Sequence, residues 1–171
     1  TGILTVRRDE DELYHLSLPS FRATPKELPQ IAAALGAEPV ETLWHDNGYA
    51  LIVLPTASAV RALSPDFAAL RALGRIQVIV SARGDGDPSK ADVVSRVFVA
   101  GDGIDEDPVT GSAHCVLTPY WTARFGRDSF TAYQASKRGG HIGCTMFSGR
   151  AELSGRCVTM ITGEYQLYAF Y

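Results

Sequence analysis

The sequence has few cysteines, and they are spaced too widely to form a disulfide framework. Cys115, Cys144 and Cys157 are the three cysteines among 171 residues. Small domains that depend on disulfides usually carry an even number of cysteines at close spacings. The cysteines are therefore interpreted as reduced thiols, which is typical of a cytoplasmic protein.

Long apolar runs and clusters of basic residues are also missing. No run approaches the roughly 20 apolar residues that a membrane-spanning helix needs, so no membrane association is expected. The 16 Lys and Arg residues are scattered among 19 Asp and Glu residues, and the net charge of −3 argues against a nucleic-acid partner. With 46% hydrophobic residues, the chain is expected to form one domain around one substantial core.

Metal-ligating residue types occur, but their spacing is wrong for a metal site. His114 and Cys115 are neighbours on a predicted helix, where adjacent side chains diverge. His141 and Cys144 are three apart on a predicted strand, so they face opposite sides of a sheet. The sequence therefore predicts no metal.

Two start signals predict helices in the first half of the chain. The T-P-K-E pattern at residues 24–27 is a capping box and predicts a helix over Pro25–Leu35, ended by Gly36. The S-P-D pattern at residues 64–66 predicts a second helix that ends near Leu73.

Most of the remaining chain is predicted to form antiparallel strands, which makes the fold class α+β. Val40–His45 and Tyr49–Leu54 are joined across Asp46–Gly48, which is a hairpin turn signal. Runs of β-branched and aromatic residues between turn residues predict the other strands. These are Ile3–Arg8, Leu13–Leu18, Ile76–Ala82, Val93–Ala100, Phe130–Ala135, Ile142–Phe147, Arg150–Leu153, Arg156–Ile161 and Tyr165–Phe170.

One predicted helix, Ala113–Phe125, differs from the others because it is apolar around most of its circumference. Such a helix is enclosed by other structure rather than lying on a surface. We therefore expect an antiparallel strand barrel wrapped around a central buried helix. Pro119 lies beyond the first turn, so it is expected to kink the helix or to restart it near Thr118.

The segment Gly103–His114, G-I-D-E-D-P-V-T-G-S-A-H, carries the most information about function. Thr110 is a good N-cap, and Gly111 lets a ligand approach the backbone. The first-turn amides of Gly111, Ser112 and Ala113 have no intrahelical partners, and a carboxylate or phosphate is suited to accept from them. The alternative is an ordinary capped helix whose acidic loop is solvated.

Several separated motifs carry a family resemblance. E-D-P-V-T-G-S-A-H at residues 106–114, P-Y-W at 119–121 and Q-A-S-K-R-G-G at 134–140 resemble the C-terminal half of the phenazine-biosynthesis (PhzF-like) isomerase family. N-G-Y-A-L-I-V-L at 47–54 and S-R-V-F-V-A at 95–100 fit the same pattern in the same order. The resemblance implies a diaminopimelate-epimerase-like fold, in which two half-units face each other across a cleft. It also implies a carbon-acid isomerase that needs no cofactor.

The family pattern is incomplete in this sequence. Family members begin with another domain that carries an acid/base glutamate in an S-E-T-A-F-like segment, and nothing here corresponds to it. Thr1–Val6 resembles the strand that opens the second domain. Residues 1–171 are therefore expected to be the C-terminal domain, with the N-terminal domain absent from this chain. The expected partners are that domain, a small carboxylic-acid substrate and further copies in a homo-oligomer.

The implied reaction moves a proton next to a carboxylate, so negative charge builds up on that carboxylate. The amides of Gly111 and Ser112 are suited to stabilise this charge, and the Ser112 hydroxyl adds one hydrogen bond. Asp107 orients the substrate or relays a proton. Three further residues are predicted at the pocket rim or a subunit contact: Ser136, Arg138 and Gly139. The chain is then the substrate-binding half of an isomerase, inactive by itself. The alternative is a non-catalytic carboxylate-binding or assembly domain.

Overall fold

The computed structural model describes residues 4–164 and shows a mixed α+β fold, which confirms the predicted class. The strands are β1 Thr5–Arg8, β2 Tyr14–Pro19, β3 Thr24–Pro25, β4 Glu41–His45, β5 Tyr49–Val53, β6 Gln77–Arg83, β7 Val93–Val99, β8 Ile104–Glu106, β9 Ser129–Gln134, β10 Gly140–Phe147 and β11 Arg150–Gly155. The helices are α1 Pro29–Leu35, α2 Ala57–Ala62, α3 Phe67–Ala72 and α4 Gly111–Phe125. A 3₁₀ turn spans Ala100–Asp102. None of the helices within residues 4–164 has the length and apolarity to cross a membrane.

One large sheet contains all of these strands, in the order β1-β2-β11-β10-β9-β7-β6-β5-β4-β3, with β8 paired to β7. Most neighbours are antiparallel, but β5 pairs with β6 and β7 pairs with β9 in parallel. Parallel neighbours need a crossover connection, usually through a helix. Helices α2 and α3 connect the first pair, and α4 lies in the connection between the second.

The middle of the sheet is buried on both faces. Along β5, Leu51 and Val53 pack into the core that contains α4, whereas Ala50 and Ile52 pack into a second core with α1, α2 and α3. Successive side chains of a strand point to opposite faces, so this alternation places one helix layer on each side. The continuous apolar composition of β5 follows from this double coverage.

Helix α4 packs against strands from distant parts of the sheet. It contacts β2, β9, β10 and β11, and it also contacts β5. Because β2 and β5 are far apart in the strand order, the sheet curves around the helix. Closure into a barrel with α4 at its centre is not confirmed, since β1 and β3 lie at the two ends of the strand order in residues 4–164.

Pro119 lies inside α4, and the helix is continuous from Gly111 to Phe125. Of the two predicted outcomes, the restart near Thr118 is therefore wrong, and the kink stays a prediction. A proline cannot donate to the carbonyl four residues earlier, which here belongs to Cys115. The backbone N–H of Phe21 donates to that Cys115 oxygen at 2.8 Å. A neighbouring segment therefore supplies the hydrogen bond that Pro119 removes.

The T-P-K-E pattern at residues 24–27 does not begin a helix, so that prediction is wrong at its start. Thr24 and Pro25 instead form β3 at the edge of the sheet, where a proline without an N–H is tolerated. Helix α1 begins at Pro29 and ends before Gly36, which adopts the left-handed conformation (φ 62°). This confirms the predicted end at Leu35. The prediction succeeded because a glycine after the last turn is a local signal.

The other local signals give mixed outcomes. The hairpin across Asp46–Gly48 is confirmed, and Gly48 has the positive φ (84°) that its turn requires. The S-P-D signal is confirmed, since Asp66 caps α3 by accepting from Ala69 N at 2.9 Å. The predicted strand Arg156–Ile161 is wrong, because this segment is exposed and has no ladder partner among the described residues. Ile3 and the predicted strand Tyr165–Phe170 lie outside the described residues.

Candidate functional site

The first turn of α4 presents backbone amides without protein acceptors. Thr110 is the N-cap residue in an extended conformation (φ −112°), but its side chain accepts no hydrogen bond from the helix. No oxygen within residues 4–164 accepts from the amides of Gly111, Ser112 or Ala113. The turn that the sequence predicts to bind an anion therefore keeps its donors available in this part of the chain.

Apolar side chains border this turn on one side. A Cβ atom added to Gly111 would lie 3.9 Å from Leu18 on β2 and 4.0 Å from Leu153 on β11, which are ordinary contact distances. The fold itself therefore does not require glycine at position 111. Gly111 and Ser112 are half-buried, so the turn reaches the surface of this chain.

Asp107 is held in place by both its backbone and its side chain. Its N–H donates to the Val97 oxygen on β7 at 3.0 Å. The Thr110 hydroxyl donates to Asp107 Oδ2. Next to it, Glu106 receives a two-point hydrogen bond from Arg96, at 2.7 and 2.8 Å. Of the two acids, Asp107 is the one whose side chain contacts the N-cap residue of α4.

Gln134, at the end of β9, organises this loop, and the sequence did not assign it a role. Its side chain is fully buried. Its Oε1 accepts from Thr110 N at 2.8 Å, and its Nε2 donates to the Asp107 carbonyl at 2.7 Å and to Thr110 Oγ1 at 3.0 Å. The only sequence signal was its place in the Q-A-S-K-R-G-G motif, because a contact between residues 24 positions apart leaves no local pattern.

Ser112 faces a second glutamine that sequence reasoning also missed. The Ser112 hydroxyl donates to Gln77 Oε1, at the start of β6, over 3.1 Å. The Nε2 of Gln77 is buried and has no partner in residues 4–164. The next strand places Tyr49 opposite Gln77, and the Tyr49 ring lies against Phe21 with centroids 5.6 Å apart. A polar group and aromatic rings thus lie on the Ser112 side of the turn.

His114 is fully buried one turn into α4. Its Nδ1 lies 2.7 Å from the Thr110 carbonyl, which only accepts, so Nδ1 carries the proton. Its Nε2 is buried with no partner among the described residues. Burial lowers the pKa of His114 to about 4, so the ring is neutral at physiological pH. Burial likewise raises the pKa of Cys115 to about 11 and that of Cys144 to about 12, which keeps both thiols protonated.

The loop that contains Ser136, Arg138 and Gly139, which the sequence predicts at the pocket rim, contacts the Asp107–Thr110 segment. The Ser136 hydroxyl donates to the Pro108 carbonyl at 2.7 Å and accepts from Gly139 N at 3.0 Å. Arg138 is exposed and lines a surface cleft with Glu106 and Pro108. The loop is therefore adjacent to the site, although a role for it in binding stays a prediction. Across residues 4–164, no three His, Cys, Asp or Glu side chains are grouped to hold a metal ion.

Comparison with known sequences identifies relatives along almost the whole chain. The family model described as phenazine biosynthesis-like protein (PhzC-PhzF) matches residues 9–163. The chain is 42% identical over 170 residues to an uncharacterized isomerase of Pseudomonas aeruginosa, and 33% identical over 169 residues to one of Halalkalibacterium halodurans. Each alignment covers 98% of this chain and 62% of the relative, so the chain spans less than two thirds of their length.

Solved structures give the same result. A PhzF-family phenazine biosynthesis protein from Enterococcus faecalis superposes with a TM-score of 0.84 at 38% identity, over 97% of this chain and 62% of that one. A predicted epimerase from Pseudomonas aeruginosa shares the fold with a TM-score of 0.58 at 18% identity, over 90% of this chain and 58% of that one. The family resemblance inferred from the motifs is confirmed.

Proposed function

Because this chain belongs to the phenazine biosynthesis-like (PhzC-PhzF) family, we propose that it is the substrate-binding part of an isomerase. The proposed reaction moves a proton next to the carboxylate of a small carboxylic acid. Relatives named as isomerases support the reaction class. The observation that carries the proposal is the first turn of α4, whose amides lack acceptors in the described residues while Asp107 is held beside them.

The α4 turn is suited to bind a carboxylate. The amides of Gly111 and Ser112 point out of a helix N-terminus, where the aligned peptide dipoles also favour negative charge. When a proton leaves the adjacent carbon, charge moves onto the carboxylate and these fixed donors stabilise it without reorganising. The Ser112 hydroxyl then exchanges its bond to Gln77 for one to the substrate, and Asp107 orients the reacting atoms or relays a proton.

We propose that the proton-transferring base comes from the part of the relatives' length that this chain does not span. Near the first turn of α4, the described acids are Asp107, bound by Thr110, and Glu106, bound by Arg96. A proton transfer moves no electrons to an external acceptor, so the proposed reaction needs no redox cofactor, and we propose that it uses none of any kind. The proposed substrate class is a small cyclic or amino-acid-like carboxylic acid.

We also propose that this chain assembles with that further part and with a second copy. Large apolar side chains are exposed on the edge strand β1 and in the segment after β11, including Val6, Val158 and Ile161. Removing apolar surface of this kind from water is favourable, which supports a covering partner. Light scattering at high concentration should report a species larger than the monomer, and a clean monomer would contradict this proposal.

The binding step is tested by titrating ¹⁵N-labelled protein with sodium acetate and sodium benzoate. The amide signals of Gly111 and Ser112 should shift in a saturable way, because their N–H groups donate to the added carboxylate. The Ala59 amide of α2 provides the control, since it is already bonded to Thr56. An equal response of the Ala59 amide, or no response at α4, would contradict a carboxylate site.

The catalytic step is tested by exchange of carbon-bound hydrogen with deuterated water, measured by mass spectrometry on a panel of small carboxylic acids. The 171-residue chain alone should bind but exchange nothing. A protein that adds the proposed base-carrying part should exchange. Full exchange by the chain alone would overturn the division of roles. Binding without exchange in both proteins would favour the alternative function, a non-catalytic carboxylate-binding or assembly domain.

A further inference from the structure

The Thr110 hydroxyl does not perform the task that its position predicts. A threonine at the N-cap usually accepts a hydrogen bond from the amide two or three residues later. Here those amides belong to Ser112 and Ala113, and neither is bonded to Thr110. The cap of α2 shows the usual arrangement, because Thr56 Oγ1 accepts from Ala59 N at 3.1 Å.

The Thr110 hydroxyl is instead hydrogen-bonded to Gln134 and Asp107. Gln134 Nε2 donates to Thr110 Oγ1 at 3.0 Å, and the hydroxyl donates its own hydrogen to Asp107 Oδ2. The other contacts of Gln134 hold the backbone on both sides, through Thr110 N and the Asp107 carbonyl. Each polar atom of this fully buried side chain is therefore used on the segment that leads into α4.

Strand β7 explains why Gln134 reaches this segment. Gln134 lies opposite Ser95 in the parallel pairing of β7 with β9. Two residues further along β7, the Val97 carbonyl accepts from Asp107 N at 3.0 Å. Gln134 and Asp107 are thus attached to the same strand, and this attachment sets their spacing.

We propose that Gln134 is a positioning residue that keeps the Thr110 hydroxyl from capping the first-turn amides of α4. By donating to Thr110 Oγ1 and turning the hydroxyl toward Asp107, it prevents the hydroxyl from capping the helix. The amides of Ser112 and Ala113 then stay available to a carboxylate, and the Asp107 carboxylate is held beside them. This inference rests on the proposed function, for which it identifies a residue that prepares the site without contacting the substrate.

Amide hydrogen exchange and acetate binding, both measured by NMR, test the proposal with Gln134→Met, which keeps the size of the side chain but not its hydrogen bonds. The released hydroxyl should cap α4, so the exchange of the Ser112 or Ala113 amide should slow by about fivefold to tenfold. The apparent Kd for acetate should rise by a similar factor. Thr56→Val is the calibrating control, since the Ala59 amide should lose its protection.

The double variant Gln134→Met/Thr110→Val separates this role from a merely structural one. Without a hydroxyl there is nothing to cap the helix, so exchange and acetate affinity should return to the values of Thr110→Val alone. If Gln134 only stabilises the fold, the double variant should bind acetate no better than Gln134→Met, which would overturn the proposal. If Gln134→Met does not fold, Gln134→Leu also removes the N–H donors with a smaller apolar side chain, and the same protection is expected.

The outcome also separates this inference from the proposed function. Protection that appears in Gln134→Met, in a protein that never binds acetate, would support the positioning role and contradict the carboxylate site. Acetate binding in the unmodified chain, with unchanged protection in both Gln134 variants, would overturn the positioning role and leave the carboxylate site standing.

Discussion

Two helices of this protein begin with almost the same four residues but end up with different N-termini. Helix α2 is preceded by Thr56 and starts Ala-Ser-Ala, and α4 is preceded by Thr110 and starts Gly-Ser-Ala. Both threonines have extended backbones at the N-cap. Thr56 caps its helix, whereas Thr110 is bonded to Asp107 and Gln134 and leaves its helix uncapped.

The difference shows that a threonine at the N-cap position does not by itself ensure that its side chain caps the helix. A missing cap bond costs about 1 kcal/mol in typical helices. In α4 the hydrogen bonds of Thr110 to the buried Gln134 and to the half-buried Asp107 offset that cost, and the amides remain available. The helix in which Thr56 bonds to Ala59 has no proposed functional role, and the helix in which Thr110 makes no such bond is the one where we place the function.

The largest expected difference between the two helices is in catalysis. In a complete, active protein, Asp107→Asn and Ser112→Ala should each lower turnover by about ten to a thousandfold, because each removes one positioning or stabilising group. Ser58→Ala changes the corresponding serine of α2 and should leave turnover unchanged. Steady-state kinetics of hydrogen exchange measure all three, and equal losses for Ser58 and Ser112 would remove the distinction between the helices.

The next largest effect concerns the free energy of unfolding at low pH. Four residues after the N-cap, α4 has His114 where α2 has Val60. The unfolded chain protonates this histidine near its ordinary pKa of 6.5, whereas burial holds the folded pKa at about 4. Its contribution is therefore complete above pH 6.5 and is lost as the pH falls toward 4. That loss amounts to about 3 kcal/mol of unfolding free energy.

Denaturant unfolding of the unmodified chain and of His114→Val at pH 7 and pH 4 checks this value. The variant is expected to be less stable at pH 7, because a smaller side chain leaves a cavity. Its stability should nevertheless fall less between the two pH values. The same pH dependence in both proteins would mean that His114 protonates freely in the fold.

A smaller effect is expected from removing the cap that α2 makes for itself. Thr56→Val should lower the unfolding free energy by about 1 kcal/mol, because the Ala59 amide loses its acceptor. Acetate affinity at α4 should not change. A variant that loses acetate binding would indicate that the two helix ends are coupled, which the structure gives no reason to expect.

The smallest effect comes from exchanging the one residue that differs in the first turns. Ala57→Gly should destabilise the protein by about 0.5–1 kcal/mol at most, and Gly111→Ala should stabilise it by a similar or smaller amount. The added methyl group meets Leu18 and Leu153 only at ordinary distances. Gly111→Ala should nevertheless weaken acetate binding, because the proposed role of Gly111 is to let a ligand approach the backbone. Thermal unfolding and acetate titration measure the two effects, and full acetate affinity would show that Gly111 is not needed for access.

Predictions from the sequence succeeded where the signal is local. The hairpin at Asp46–Gly48 and the cap at Asp66 depend on residues adjacent to the turns that they form. They failed where a distant segment competes. Thr24 and Pro25 pair with β4 instead of starting a helix, and α4 continues through Pro119 without the predicted restart, with Phe21 bonded to the Cys115 carbonyl that the proline leaves free.

The residues of the candidate site also fall into two groups, those proposed from the sequence and those found only in the structure. The segment that contains Asp107, Thr110, Gly111 and Ser112 was recognisable because its residue types and spacing form one continuous pattern. Gln134, Gln77 and the burial of His114 were not, because the residues that bind or cover them come from distant parts of the chain. A glutamine in a strand carries no sign of which loop it will bind.

By itself the sequence predicted that Thr110 precedes a helix, because threonine at the N-cap is a local preference, but it gave no such prediction for Thr56, which caps α2. Only the tertiary structure decided that the Thr56 hydroxyl accepts a hydrogen bond from its helix and that the Thr110 hydroxyl does not. The reason is that Gln134 and Asp107 are both attached to β7, so their hydrogen bonds to Thr110 depend on strands that are distant from it in the sequence.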